Sequence, residues 1–243
     1  MSKRTKKPGG GAKKPVPVNA ARLRDGWVQP AGGRVRLIRP GEEHAADALM
    51  RLAGVELDPY LERAIGDGSI AHTLLTGLDH NRDAYYETAL KACMRPQLIE
   101  GMPSMSLVLV AEDEAGDVVG VLAGMPAATM LKEASNSGYK PEQLVTLSLV
   151  IAKLQALAVA EHTRGQGLAG ALLKRAWQIY QQLGFFLAYG QFDVGSGLEA
   201  FYGTHGFAVH TPGERLSLER INLPMAINAG PGEQLFSRWR PRG

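Results

Sequence analysis

Leu154 to Leu183 reads LQALAVAEHTRGQGLAGALLKRAWQIYQQL, and three kinds of segment follow one another inside it. Leu154 to Ala160 is an apolar run of strand length. Glu161-His162-Thr163-Arg164 is polar, and Gly165-Gln166-Gly167 follows. The period then changes: Leu168, Leu172, Leu173, Ala176, Ile179, Tyr180 and Leu183 share one helical face, while Lys174, Arg175, Gln178, Gln181 and Gln182 take the other. The order is strand, glycine loop, amphipathic helix.

That order suits anion capture. Glycines at 165 and 167 let the backbone turn sharply and approach a ligand. The first N–H groups of the helix have no intrahelical acceptor, and the helix dipole adds positive character there. Phosphate is the usual guest of such a terminus, and Arg164 stands beside it for a charge-assisted contact. The dinucleotide pattern G-x-G-x-x-G fits Gly165 to Gly170 literally. It calls for an acid about 20 residues on and a long run of further strands. Asp193 comes 28 positions after Gly165, and only 73 residues follow Gly170, so this reading is weak.

The alternative pattern is R/Q-x-x-G-x-G/A, here Arg164-Gly165-Gln166-Gly167-Leu168-Ala169, preceded by Leu157-Ala158-Val159. Downstream, Ala200-Phe201-Tyr202-Gly203-Thr204-His205-Gly206-Phe207 gives a short helix and Y-x-x-x-G-F, with a strand over 185–193 between the blocks. The two blocks in this order resemble the GCN5-related N-acetyltransferase (GNAT) family. The resemblance covers about residues 33 to 240 and is specific over about 153 to 207. It implies an α/β fold (α+β in organisation), a mixed central sheet of about six to seven strands flanked by helices, with helical insertions.

The resemblance further implies acetyl-CoA as cosubstrate. Leu157, Ala158 and Val159 would pair with pantetheine and polarise the thioester carbonyl. The backbone of Arg164, Gly165, Gln166, Gly167, Leu168, Ala169 and Gly170 would hold the pyrophosphate. Tyr202 would protonate the leaving thiolate, and a phenol near pKa 10 suits a thiolate of about 8.5. The glutamate that many members carry six residues before the valine of L-x-V is replaced by Lys153, and their asparagine seven residues before the tyrosine by Gly195. Gln155, Asp193, Glu112 or a water relay through His162 are then the substitutes for a base. The acceptor implied is a primary amine of a small molecule or peptide. A CoA-binding module without turnover is the alternative, and a homodimer is compatible with the family.

Composition agrees with a soluble globule: 243 residues, 45% hydrophobic and 21% charged. Cys93 is the single cysteine, so an internal disulfide is excluded and a reducing, cytoplasmic setting is expected. The most apolar window, 144–160, is interrupted by polar residues, and no membrane partner is expected. Residues 1–20 carry six of the basic residues and no acid, which leaves −3 for the rest of a chain whose net charge is +3. They read as a disordered tail. It could tether the protein to a ribosome or nucleic acid, but the acidic balance elsewhere makes nucleic acid a poor partner.

The remaining residues, 21–243, read as one domain. Strand and helix over 33–54 precede a helical, acceptor-side region at 55–105. A hairpin and helical insertion occupy 106–152, the acetyl-CoA core 153–207, and a final hairpin 208–243. Asp79, His80, Asp83, Tyr85 and Tyr86 are the conspicuous polar and aromatic residues of the helical region. Their spacing fits no standard ligand set, and no metal is expected.

Overall fold

The structure, a computed structural model, describes residues 16–30, 32–94 and 98–241. In chain order these form α1 (Ala20–Asp25), β1 (Trp27–Val28), β2 (Arg34–Leu37), α2 (Glu43–Arg51), α3 (Pro59–Gly66), α4 (His72–Asp79), α5 (Arg82–Cys93) and α6 (Leu98–Gly101). After a 3-10 turn at Met102–Met105 come β3 (Leu107–Glu112), β4 (Val118–Pro126), α7 (Ala128–Asn136), α8 (Pro141–Ser148) and β5 (Ile151–Val159). Then follow α9 (Leu168–Leu183), β6 (Leu187–Asp193), α10 (Glu199–Thr204), β7 (Ala208–Val209), β8 (Leu216–Ser217), β9 (Ala226–Ile227) and β10 (Glu233–Trp239).

Eight strands form one mixed sheet in the order β1-β2-β3-β4-β5-β6-β10-β7, and β8 pairs with β9 in a separate hairpin. The sheet exceeds the expected count because β1 and β7 have two residues each, too few to carry an alternation. Every neighbouring pair is antiparallel except β5 and β6. A parallel pair needs a crossover, and α9 supplies it. All seven residues of its apolar face are buried, with Trp177 added, and each large one contributes on the order of 1.5–3 kcal/mol. Gly184, at φ 91°, ends the helix in the left-handed conformation that glycine permits.

Both faces of the sheet are covered. On one, α9, α4, α5 and α1 pack on Leu37, Leu109, Leu122, Leu154 and Phe236. On the other, α2 and α3 cover Val108, Val110, Val121 and Ala123. Farther along that second face, α7, α8 and the β8–β9 hairpin cover Ile151, Leu187, Tyr189 and Leu235. The helical region at 55–105 is therefore divided. Only α3 lies over the second face; α4 and α5 join the α9 side.

Alternation along β2 sets Val35 and Leu37 against Arg34 and Arg36, as if the arginines met water. The second layer of helices changes that. Arg36 is 1% exposed, and its guanidinium bonds Glu42 of the turn before α2 and Glu112 of β3, each at 2.6 Å. The bridge fastens α2 to the sheet.

The expected disordered tail falls partly outside the described residues, at 1–15. Residues 16–20 belong to the fold. Val18 is buried, and its N–H donates to Gln182 Oε1 at 2.7 Å. Asn19 caps α1, and Ala20 N–H donates to Asp79 Oδ1 at 2.8 Å.

Candidate active site

β5 is a full neighbour of β4 but only briefly of β6. Pairing with β6 runs from Ile151↔Leu187 to Lys153↔Tyr189 and stops there. Across β5, Ala123 pairs with Ala156 and Gly124 with Leu154, which leaves Gln155 as the extra residue of a bulge. A bulge bends and over-twists its strand. It also resets the alternation, so that Leu154 and Leu157, three apart, both pack toward α9. From Leu154 onward β5 and β6 diverge. Leu157, Ala158 and Val159 keep β4 as partner on one edge and have no strand on the other. Their side chains are half-buried, so this edge borders an opening.

The chain leaves β5 into the glycine loop. Ala160 N–H donates to Val119 O at 2.8 Å, and the buried Thr163 donates its hydroxyl to Ala160 O at 2.9 Å, which pins the turn. Gly165 and Gly167 then take φ of 81° and 80°, a region that disfavours any side chain. The next satisfied helical amide is Ala171, donating to Gly167 O at 3.0 Å. Among the described residues, nothing accepts from the N–H groups of Gly165, Gly167, Leu168, Ala169 or Gly170. Space beside Gly165 and Gly167 is open, and no acid stands in the first turn of α9. Arg164 and Gln166 are exposed beside the loop, whereas the Leu168 side chain is buried and offers only its main chain. Gly170 has a second reason to be glycine, because a Cβ there would collide with His205, the residue that caps the end of α10. The donor set fits a phosphate-type anion.

Tyr202, on α10, is 6% exposed. Its ring stacks on Phe236 at 3.7 Å between centroids and on Phe192 at 5.3 Å. The hydroxyl makes no hydrogen bond among the described residues. Unlike those of Tyr85 and Tyr180, it is not sealed from solvent. Burial pushes the phenol well above its ordinary range, so it stays protonated at any physiological pH.

The four residues expected to substitute for a base separate sharply. Glu112 is occupied by Arg36, with Arg34 at 3.7 Å. His162 and Asp193 are exposed at the ends of their elements, and Gln155 sits at the bulge, half-buried. The structure adds Gln191 and Glu233, which have no local sequence signal, and sets them beside Lys153, which the resemblance marks only as the replacement of a glutamate. Ile151, Lys153, Tyr189, Gln191 and Glu233 share the face opposite α9 by register. Gln191 Nε2 donates to Glu233 Oε2 at 2.6 Å across 42 positions of sequence. Desolvation lowers the pKa of the Lys153 amine, and the charge of Glu233 opposes that.

Of the conspicuous residues of the helical region, Asp79 and Tyr85 do structural work, as does their neighbour Asn81. Asp79 holds Ala20, Asn81 caps α5, and Tyr85 is buried. No group of acids, histidines or cysteines able to hold a metal occurs among the described residues. Burial pushes the Cys93 thiol up to about 11, which disfavours the reactive thiolate. A hydroxyl–imidazole–carboxylate chain runs from Ser237 through His210 to Glu214, at 2.8 and 3.1 Å. Ser237 is 1% exposed, so the chain fastens the segment after β7 to β10 and receives no substrate. A polar hollow of about 490 Å³ lies between α3, α4 and α5, lined by Arg63, His72 and Lys91, and touches none of the residues above. No described helix is long and apolar enough to cross a membrane.

Residues 104–209 match the family model of the acetyltransferase (GNAT) domain. No curated protein matches the chain significantly. Among solved structures, Ard1 from Thermoplasma volcanium is similar at 13% identity and TM-score 0.47, over 87% of this chain and 99% of that one. A GNAT family acetyltransferase from Elizabethkingia anophelis with acetyl-CoA bound is similar at 17% identity and TM-score 0.38, over 64% and 90%. Nourseothricin acetyltransferase is similar at 18% identity and TM-score 0.36; this chain covers 66% of its length and matches over 56% of its own. Residues 104–209 are thus a domain of the GCN5-related acetyltransferase (GNAT) family.

Proposed function

We propose that this acetyltransferase moves the acetyl group of acetyl-CoA directly onto a primary amine. One observation carries the reading: a strand edge without a partner at Leu157–Val159 leads, within a few residues, to five unpartnered amides at the start of α9. The first suits the amide-rich pantetheine arm, and the second a pyrophosphate. Arg164 adds a positive charge where the anion would lie.

In the reaction the neutral amine attacks the thioester carbonyl carbon. A C–N bond forms, the C–S bond breaks, the amine gives its proton to water, and the sulfur leaves as thiolate. Main-chain N–H groups of the open β5 edge would hold the carbonyl oxygen as it gains charge. Tyr202 would give its proton to the thiolate and recover one from solvent. Burial keeps the phenol protonated until a thiolate forms, and the protonated thiol is then free to leave.

Thermal unfolding with acetyl-CoA, CoA, NAD and no ligand tests the donor. At 100 times its dissociation constant a ligand adds about 2.7 kcal/mol, which is about 5–10 °C for a chain of this size. The expected result is a shift with both CoA species and none with NAD; no shift with acetyl-CoA refutes the proposal. Tyr202→Phe then tests the acid. We expect kcat to fall about a hundredfold with the KM for acetyl-CoA unchanged, because the stacked ring remains.

A further inference from the structure

We propose that Lys153 and Glu233 form an open charge pair that selects the acceptor. The acceptor is an amine that also carries a carboxylate, with the carboxylate on Lys153 and the amino group on Glu233. The inference rests on the acetyl-transfer reading above and adds an acceptor class to it.

Lys153 is the last residue of β5 to pair with β6, so it stands where the two strands begin to part. On its other edge it pairs with Met125 of β4, which brings no charge. The ammonium is half-buried and makes no ion pair or hydrogen bond among the described residues. A charge withdrawn from water without a counter-ion is unfavourable. The cost is relieved when an anion arrives, and an anionic group on the acceptor would relieve it.

Glu233 is the acid whose charge reaches Lys153, yet the two are not in contact. The glutamate is held in place. Its Oε2 accepts from Gln191, and its carboxylate lies so close to Gly230 that a Cβ there would collide with it. Oε1 accepts no hydrogen bond among the described residues and stays available. Had the carboxylate been mobile, it could have closed on Lys153 and the pair would be a structural salt bridge. Instead, opposite charges stand apart on one face of the sheet, beside the opening between β5 and β6. A ligand with both signs in the reverse order completes them.

The neighbouring acids fix the polarity of that arrangement. Asp193 is exposed at the end of β6, and Glu133 of α7 acts on Tyr189, the strand partner of Lys153. Carboxylates are thus plentiful around the pair, and Lys153 is the anchor left for an anion. The face is also bounded, with α2 and α3 packed on one stretch of it and α7 and α8 on the other. The polar residues of the pair lie between those covers.

The test is acetyl transfer by the full chain, followed by thiol release from acetyl-CoA, with L-amino acids each beside its carboxamide. Losing a charged contact removes enough free energy for at least about a tenfold preference in kcat/KM for the carboxylates. Lys153→Met should collapse that ratio toward one, mainly through KM for the carboxylates, and Lys153→Arg should retain it. Melting of each variant with acetyl-CoA verifies that it is folded and binds donor. Equal rates for carboxylates and carboxamides, or an unchanged ratio in Lys153→Met, would overturn the assignment. If acetyl-CoA stabilises the chain but no carboxylate-bearing amine is acetylated, the acceptor class is wrong and the donor reading stands. If acetyl-CoA does not stabilise it, both fall.

Discussion

On the α9 side of β5, the groups available to a ligand are the main-chain N–H donors of Gly165 and of Gly167 to Gly170. On the opposite face they are side chains from three strands: Lys153 of β5, Gln191 of β6 and Glu233 of β10. The first set is produced by backbone conformation within one short loop. The second exists only because the sheet aligns β10 with β6 and starts β6 beside β5. One side can therefore stay the same while the other is redrawn by single substitutions.

The largest expected effect is on the cover of the face opposite α9. Arg36→Met would leave Glu42 and Glu112 without their shared cation, and breaking a buried ion pair from one side costs about 3–5 kcal/mol. Urea unfolding measures it. The pH dependence gives a second readout. Burial alone would raise the Glu42 pKa, but hydrogen bonds from Arg36 and from Arg39 N–H outweigh it and hold the carboxyl below its ordinary value. Its contribution is present above about pH 4.5 and lost as the pH falls below that. In Arg36→Met this acid-side loss should shrink. An unchanged urea midpoint would mean that α2 is held by its apolar contacts alone.

The next effect falls on the donor side. Gly167→Val places a β-branched residue at φ 80°, and the loop must rearrange. We expect acetyl-CoA affinity to drop about 10–100-fold, read as a smaller acetyl-CoA-induced melting shift. Full retention of the shift would show that the amides of this loop are not the anion site, and the contrast between the two sides of β5 would be lost.

The smallest effect belongs to neither side. The Thr211 N–H, then His210 and the Thr211 hydroxyl, bring the Glu214 pKa down to about 2. A depressed carboxyl stabilises the fold above its unfolded pKa, and that contribution is lost as pH falls through about 2. Glu214→Gln should flatten the melting midpoint between about pH 4.5 and 2 while leaving acetyl transfer at neutral pH unchanged. A changed transfer rate would mean that the segment after β7 communicates with the opening.

Much of this was legible from residue order. Seven apolar positions predicted the buried face of α9, and all seven are buried. The hairpin of β3 and β4 and the strand–loop–helix at β5 stand where the pattern places them. Other features depended on partners far away. Arg36 alternates like a solvent-facing residue, and it is interior because α2 forms a second layer above it. Val18 and Asn19 look like the end of a tail, but Gln182 and Asp79 receive the segment. The helices at 55–105 read as one acceptor-side block, although the apolar faces of α4 and α5 dock with α9.

By itself, the sequence determined the strand, the glycine turn and the helix, and with them the run of free amides at the start of α9. Those features depend on φ, on missing Cβ atoms and on a 3.6-residue period, all properties of neighbouring residues. Only the tertiary structure decided what stands opposite. The bulge at Gln155, the parting of β5 from β6 after Lys153, and the approach of Glu233 follow from strand register. Register is set by the packing of the whole sheet, and no local stretch of the chain encodes it.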